Sequence, residues 1–126
     1  MTTEPKRRAR NRRSAKNAGT AWETATVSFL QRNGFPNAAR VARSGARDKG
    51  DVTLGNAYSV VIEAKNVAQR DLAGWVAEAE VEAVNAGAEV GVVWAKRAGK
   101  SDPGESYVIL KGSAFVKLLR LGDTTH

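Results

Sequence analysis

The sequence predicts an α/β domain, a mixed central sheet flanked by helices in the order α-β-β-β-α-β-β-α. Three observations carry that expectation. Two strand-like runs, residues 51–54 and 57–65, flank the turn pair Gly55-Asn56. Residues 71–86 place Leu72, Trp75, Val76, Ala79, Ala83 and Ala86 in one helical sector. Residues 90–95 form a continuous apolar run, the pattern of a strand buried on both faces. Strands followed by a helix and a return strand make a mixed sheet with helices on both sides.

The elements follow in order. Residues 1–18 lack apolar periodicity and read as a basic tail, disordered until it meets a polyanion. Structure is expected to start near Thr20. From 20 to 33, Trp22, Thr26, Phe29 and Leu30 recur at helical spacing, and the helix ends at Gly34. A short first strand lies within 37–43, and Ser44 to Gly50 reads as a basic, glycine-containing connection. The hairpin strands 51–54 and 57–65 come next, with 58–62 the most strand-like part of the chain. In the second helix, 71–86, Glu78 and Glu82 fall away from the centre of the apolar sector. After strand 90–95, the polar stretch 96–105 contains Asp102-Pro103-Gly104, strand 106–110 follows, and 113–121 forms a last helix. One domain, 19–122, is therefore expected between the basic tail and a C-terminal tail, 123–126.

Composition narrows the chemistry. At 126 residues the chain holds one compact domain with a core. It has no Cys, and its one His is His126, which excludes thiolate zinc sites, disulfides and histidine catalysis. A metal must then be held by oxygen, which favours Mg²⁺, with Mn²⁺ as a substitute. No apolar run approaches the ~20 residues of a membrane span, and no signal-peptide pattern follows the basic start. A soluble, cytoplasmic protein without membrane partners is expected. Of the net charge of +7, residues 1–16 supply +6, as seven basic side chains against Glu4. A basic tail on a nearly neutral domain suits a phosphate backbone, because neutralised phosphates release counterions. The segment Ser44–Gly50 lacks the spacing of a phosphate-binding P-loop, so no nucleotide cofactor is expected.

Side chains two apart on a strand share a face, so Glu63 and Lys65 project together while Ala64 points away. Asp51 begins the neighbouring hairpin arm, within reach of Glu63. Two adjacent carboxylates repel unless a cation lies between them, and a hard divalent ion is the natural one. Such an ion polarises a phosphoryl oxygen and acidifies water. Lys65 would orient or deprotonate that water, or offset charge on the phosphate, and spacing does not choose among these roles. Glu23, four residues before Val27 on the apolar side of the first helix, would add a direct or water-mediated metal contact if that helix packs beside the hairpin. Arg40, Arg43, Arg47 and Lys49 gather around the loop before Asp51, and Arg70 precedes the second helix. With Arg12, Arg13 and Lys16 of the tail, they are the candidate DNA-backbone contacts. Trp22, Trp75 and Trp94 are expected to pack rather than stack on bases.

Asp51, eleven residues, then Glu63-Ala64-Lys65 resembles the PD-(D/E)XK nuclease motif. The wider stretch from Lys16 to Lys65, with Glu23, Arg43-Ser44, Gly50-Asp51 and Val61-Ile62 before Glu63, is similar to archaeal-type Holliday junction resolvases and related phage proteins. Asp71-Leu72-Ala73-Gly74-Trp75 and Gly91-Val92-Val93-Trp94 extend the likeness. The resemblance implies a restriction-endonuclease-like fold, a homodimer with two metal sites, four-way DNA junctions as substrate, and hydrolysis leaving 5′ phosphates. It implies Glu23, Asp51 and Glu63 as the acidic metal-site residues, Lys65 as the catalytic lysine and Ser44 as a polar residue nearby. The chain departs from the motif at Gly50, where the name-giving proline would stand. Two alternatives share the residues: a nicking, repair or restriction-type nuclease, and a non-catalytic basic DNA-binding module.

Overall fold

The computed structural model describes residues 4–42 and 48–122, with side chains described from Arg12 onward. These residues form three α-helices, a single 3-10 turn and a five-stranded mixed sheet, in the order α1 (Glu4–Arg32), β1 (Ala39–Arg40), β2 (Val52–Thr53), β3 (Val60–Lys65), α2 (Leu72–Ala86), β4 (Val90–Ala95), the 3-10 turn Pro103–Glu105, β5 (Tyr107–Ile109) and α3 (Gly112–Leu121). The predicted order of helices and strands is the observed one. Among the described residues no helix is long and apolar enough to cross a membrane.

The strands lie in the sheet in chain order. β1, β2 and β3 form an antiparallel meander, β3 and β4 run parallel, and β5 returns antiparallel to β4. A parallel neighbour needs a long crossover, and α2 supplies it. The hairpin between β2 and β3 has a wider loop than Gly55-Asn56 alone predicts. Tyr58 N–H still donates to the Gly55 carbonyl at 3.2 Å, so the chain is turning there and β3 begins only at Val60.

The expected start near Thr20 is corrected, because α1 runs back to Glu4. Apolar periodicity reports burial, not helicity. Residues 12–17 are all exposed and carry no stripe, yet Arg, Lys and Ala favour helix and no proline follows Pro5 in the first turn. The packed half of α1 supplies the nucleus, after which each added residue costs little.

Two apolar layers sandwich the sheet. On one side Leu30 and Val27 of α1 and Ala114 of α3 pack against Val52, Ile62, Val90 and Val92. On the other, Trp75 and Ala79 of α2 pack against Val93 and Ala95. Gly91 lets α2 come close: a Cβ there would run into the Ala79 carbonyl. The tryptophans pack as expected. Trp22 and Trp75 are buried, and the Trp22 indole donates to the Trp94 carbonyl at 3.1 Å.

Candidate active site

Strand alternation decides which helix the candidate residues face. Ile62 belongs to the α1 layer, so Val61, Glu63 and Lys65 point toward α2. The parallel register agrees, since Glu63 lies beside Val93, which packs on α2.

Asp51 is clamped to β3 by its own backbone and side chain. Its N–H donates to the Ile62 carbonyl at 3.0 Å, and its Oδ2 accepts the Ala64 N–H at 2.9 Å. Gly50 just before it has φ 93°, a backbone that proline cannot adopt. A Cβ there would also collide with Val61. The departure from the motif's proline therefore follows from the local geometry.

Around Glu63 the structure gathers acids. Asp51 and Glu63 are 9 % and 5 % exposed. α2 adds Glu78 and Glu82, and the loop before Asp51 adds Asp48. One carboxylate oxygen from each of Asp48, Glu63, Glu78 and Glu82 lies within 4.8 Å of the others. Lys65 Nζ stands 3.1 Å from Glu78 Oε2 and 3.9 Å from Glu63 Oε1. Two carboxylates at such a distance repel by about 3 kcal/mol at an effective dielectric of ~20, so one lysine does not offset four acids.

Burial raises the Glu63 pKa far above the usual carboxylate range, and the Glu82 and Asp51 carboxyls beside it push the same way. Burial likewise lifts Glu82, up to about 7, opposed by the neighbouring Glu63 carboxyl and aided by the charges of Asp48, Glu78 and Asp51. For Lys65, burial opposes the charge, but the bond to Glu78 and the negative charge of Glu63, Glu78 and Asp51 outweigh it and raise its pKa. The ammonium is therefore held cationic. An all-oxygen donor set with buried, donor-less carboxylate oxygens fits a hard divalent cation such as Mg²⁺ or Mn²⁺.

Glu78 is exposed, away from the centre of the apolar sector of α2 as expected, but Glu82 is not. The buried residues of α2 are Trp75, Ala79, Glu82 and Ala83, so Glu82 lies inside the stripe, seven residues after Trp75. That spacing was the available signal, with Glu78 one turn earlier on the side of β3.

Glu23 is not brought into this cluster. It sits on α1, the helix of the other sheet face, and accepts a hydrogen bond from Arg40 Nε at 3.1 Å. It does line a cleft of about 600 Å³ together with Lys16, Thr20, Arg40 and Asp51. Asp51 thus stands between this cleft and the acids under α2. The end of β3 reaches α1 as well, where Asn66 Nδ2 donates to the Ala18 carbonyl at 3.4 Å.

The other candidate cations are spread more widely. Lys49 is exposed and lines, with Arg40, a second cleft of about 460 Å³. Arg12 and Arg13 are exposed on α1, and Arg70 is exposed just ahead of α2, whose first turn is capped by Asp71 accepting the Gly74 N–H at 3.0 Å. Arg43, Ser44 and Arg47 lie outside the described residues.

No protein-family model, curated protein or solved structure matches this chain.

Proposed function

We propose that this protein is a Mg²⁺-dependent DNA endonuclease of the PD-(D/E)XK type, with a restriction-endonuclease-like fold, that cuts branched duplex and leaves 5′ phosphates. The observation that carries the reading is the convergence of Asp51, Glu63 and Lys65 on one face of the sheet, beside a cleft walled by Lys16 and Arg40. The four-way junction as substrate rests on the likeness of residues 16–65 to Holliday junction resolvases, as does action as a homodimer.

In this reading Asp51 and Glu63 would hold the cation. A bound Mg²⁺ supplies charge neutralisation at the scissile phosphate and acidifies the attacking water. Lys65, bonded to Glu78 and Glu63 beside the site, orients or deprotonates the attacking water or offsets charge on the phosphate. Lys16 and Arg40 hold the flanking backbone, where positive side chains position DNA without reading sequence. Exposed Phe115, Val116 and Leu119 on α3 offer apolar surface for pairing of two copies.

The test is a cleavage assay on four-way junction, flap, nicked and linear duplexes with Mg²⁺, with Mn²⁺ and without metal. Junction cutting that requires metal is expected. Asp51→Asn and Lys65→Ala should each reduce it on the order of 10²–10³-fold while binding survives. Cutting that persists in both variants, or without metal, rules the reading out. Equal cutting of all four substrates keeps the chemistry and rejects the junction.

A further inference from the structure

The nuclease motif accounts for Asp51, Glu63 and Lys65, but it leaves Glu82 without a role. Glu82 is 1 % exposed, and neither of its carboxylate oxygens has a hydrogen-bond donor among the described residues. Oε2 of the neighbouring Glu63 is in the same condition. A buried carboxylate without a partner is costly, and helices do not place one inside an apolar stripe for packing. Val would fill the position.

What surrounds Glu82 is more negative charge. Asp48, Glu63 and Glu78 each bring an oxygen within 4.8 Å of it and of one another. Among the described residues the cationic side chain bonded to this group is Lys65, on Glu78 and Glu63, and no ion pair to Glu82 is formed. The acids come from three separate elements. The Asp48 backbone is held in place by the Asn85 amide, which donates to its carbonyl at 2.9 Å, tying the loop to α2. Close packing at Gly91 and Ala79 sets the height of α2 over β3, and with it the gap between Glu82 and Glu63.

We propose that Glu82 is the buried anchor of a divalent-cation site between β3 and α2, completed by Glu63, Glu78 and Asp48. This rests on the oxygen-held cation of the proposed function, but it adds ligands from α2 that the Asp–Glu–x–Lys motif does not contain. It also takes over the role expected of Glu23, whose carboxylate is engaged by Arg40 on the other face. The site takes a hard ion that accepts carboxylates from several directions, Mn²⁺ or Mg²⁺.

The experiment is a Mn²⁺ titration of the full chain, with free Mn²⁺ read by electron paramagnetic resonance and the thermal midpoint read in parallel. Wild type should bind Mn²⁺ and melt higher when loaded. Glu82→Gln, which keeps the size and removes the charge, should weaken binding by more than about ten-fold, the loss typical even of an outer-shell partner, and lose the thermal gain. Glu23→Gln should bind as wild type does. Should Glu82→Gln fail to fold by circular dichroism, the double variant Asp48→Asn with Glu78→Gln, both exposed positions, should show the same loss. Wild-type affinity in Glu82→Gln, or in the double variant if that one is used, overturns the proposal. Junction cleavage measured on the same samples separates the two readings. Mn²⁺ held through Glu82 in a protein that cuts nothing rejects the nuclease and keeps the site, whereas metal-dependent cutting with unchanged binding in Glu82→Gln does the reverse.

Discussion

Glu82 and Glu63 make the stability of the cation-free protein depend on pH, and the sign follows from their raised pKa values. A carboxyl that holds its proton more tightly when folded stabilises the fold in its protonated form. For Glu82 that contribution is complete below its ordinary value of 4.5 and is lost as pH rises through about 7. Glu63, raised in the same sense, extends the loss to higher pH. In chelator-treated protein the melting temperature of wild type should therefore fall across this window relative to Glu82→Gln. Added Mn²⁺ should cancel the fall. Parallel melting curves for wild type and Glu82→Gln from pH 4.5 to 8 would contradict the assignment. Lys65 belongs to the same balance, since its bonds to Glu78 and Glu63 keep it charged where a free lysine in a half-buried site would lean toward neutrality.

Among the elements, α2 does two jobs at once. It is the crossover that lets β3 and β4 lie parallel, and it carries Glu78 and Glu82 over β3. Both depend on the close approach at Gly91, where a side chain would meet backbone rather than a flexible neighbour. Gly91→Ala should cost ~1–3 kcal/mol, the usual range for overpacking a core. The cost is read as a lower midpoint in urea denaturation. The same variant should bind Mn²⁺ more weakly, because lifting α2 widens the gap between Glu82 and Glu63. An unchanged midpoint would mean that α2 does not pack on β4 as described. Helix α1 is divided differently: residues from Trp22 to Leu30 pack on the sheet, while 12–17 are exposed and basic.

At the scale of the whole molecule, Arg12, Arg13 and Lys16 stand exposed along α1, while Glu63 and Glu82 are buried beneath α2. Under the proposed function, the exposed cations of α1 meet the DNA backbone. Replacing Arg12, Arg13 and Lys16 together by Gln should weaken binding to every duplex alike. If all three meet phosphates, the slope of log affinity against log salt should drop by about 2.7. Fluorescence anisotropy at several salt concentrations measures this, and an unaltered slope would remove α1 from the DNA-binding surface.

Much of this architecture was legible from local pattern. The period of two on β3 put Glu63 and Lys65 on one face, the turn after Leu54 brought Asp51 alongside, and the apolar run 90–95 marked β4. These are short-range properties, set by backbone geometry within a few residues. The helical start at Glu4 was not legible, because an exposed basic helix carries no apolar period. Nor was the choice between Glu23 and Glu82. Both are helical glutamates beside apolar stripes, and local spacing treats them alike. Their fates differ because α1 and α2 cover opposite faces of the sheet, and the face a helix covers is a property of the complete chain path. The sequence by itself determined the order of elements and the Asp51, Glu63 and Lys65 cluster. Only the tertiary structure decided which helix closes over that cluster, and so left Glu23 with Arg40 and sank Glu82 beside Glu63.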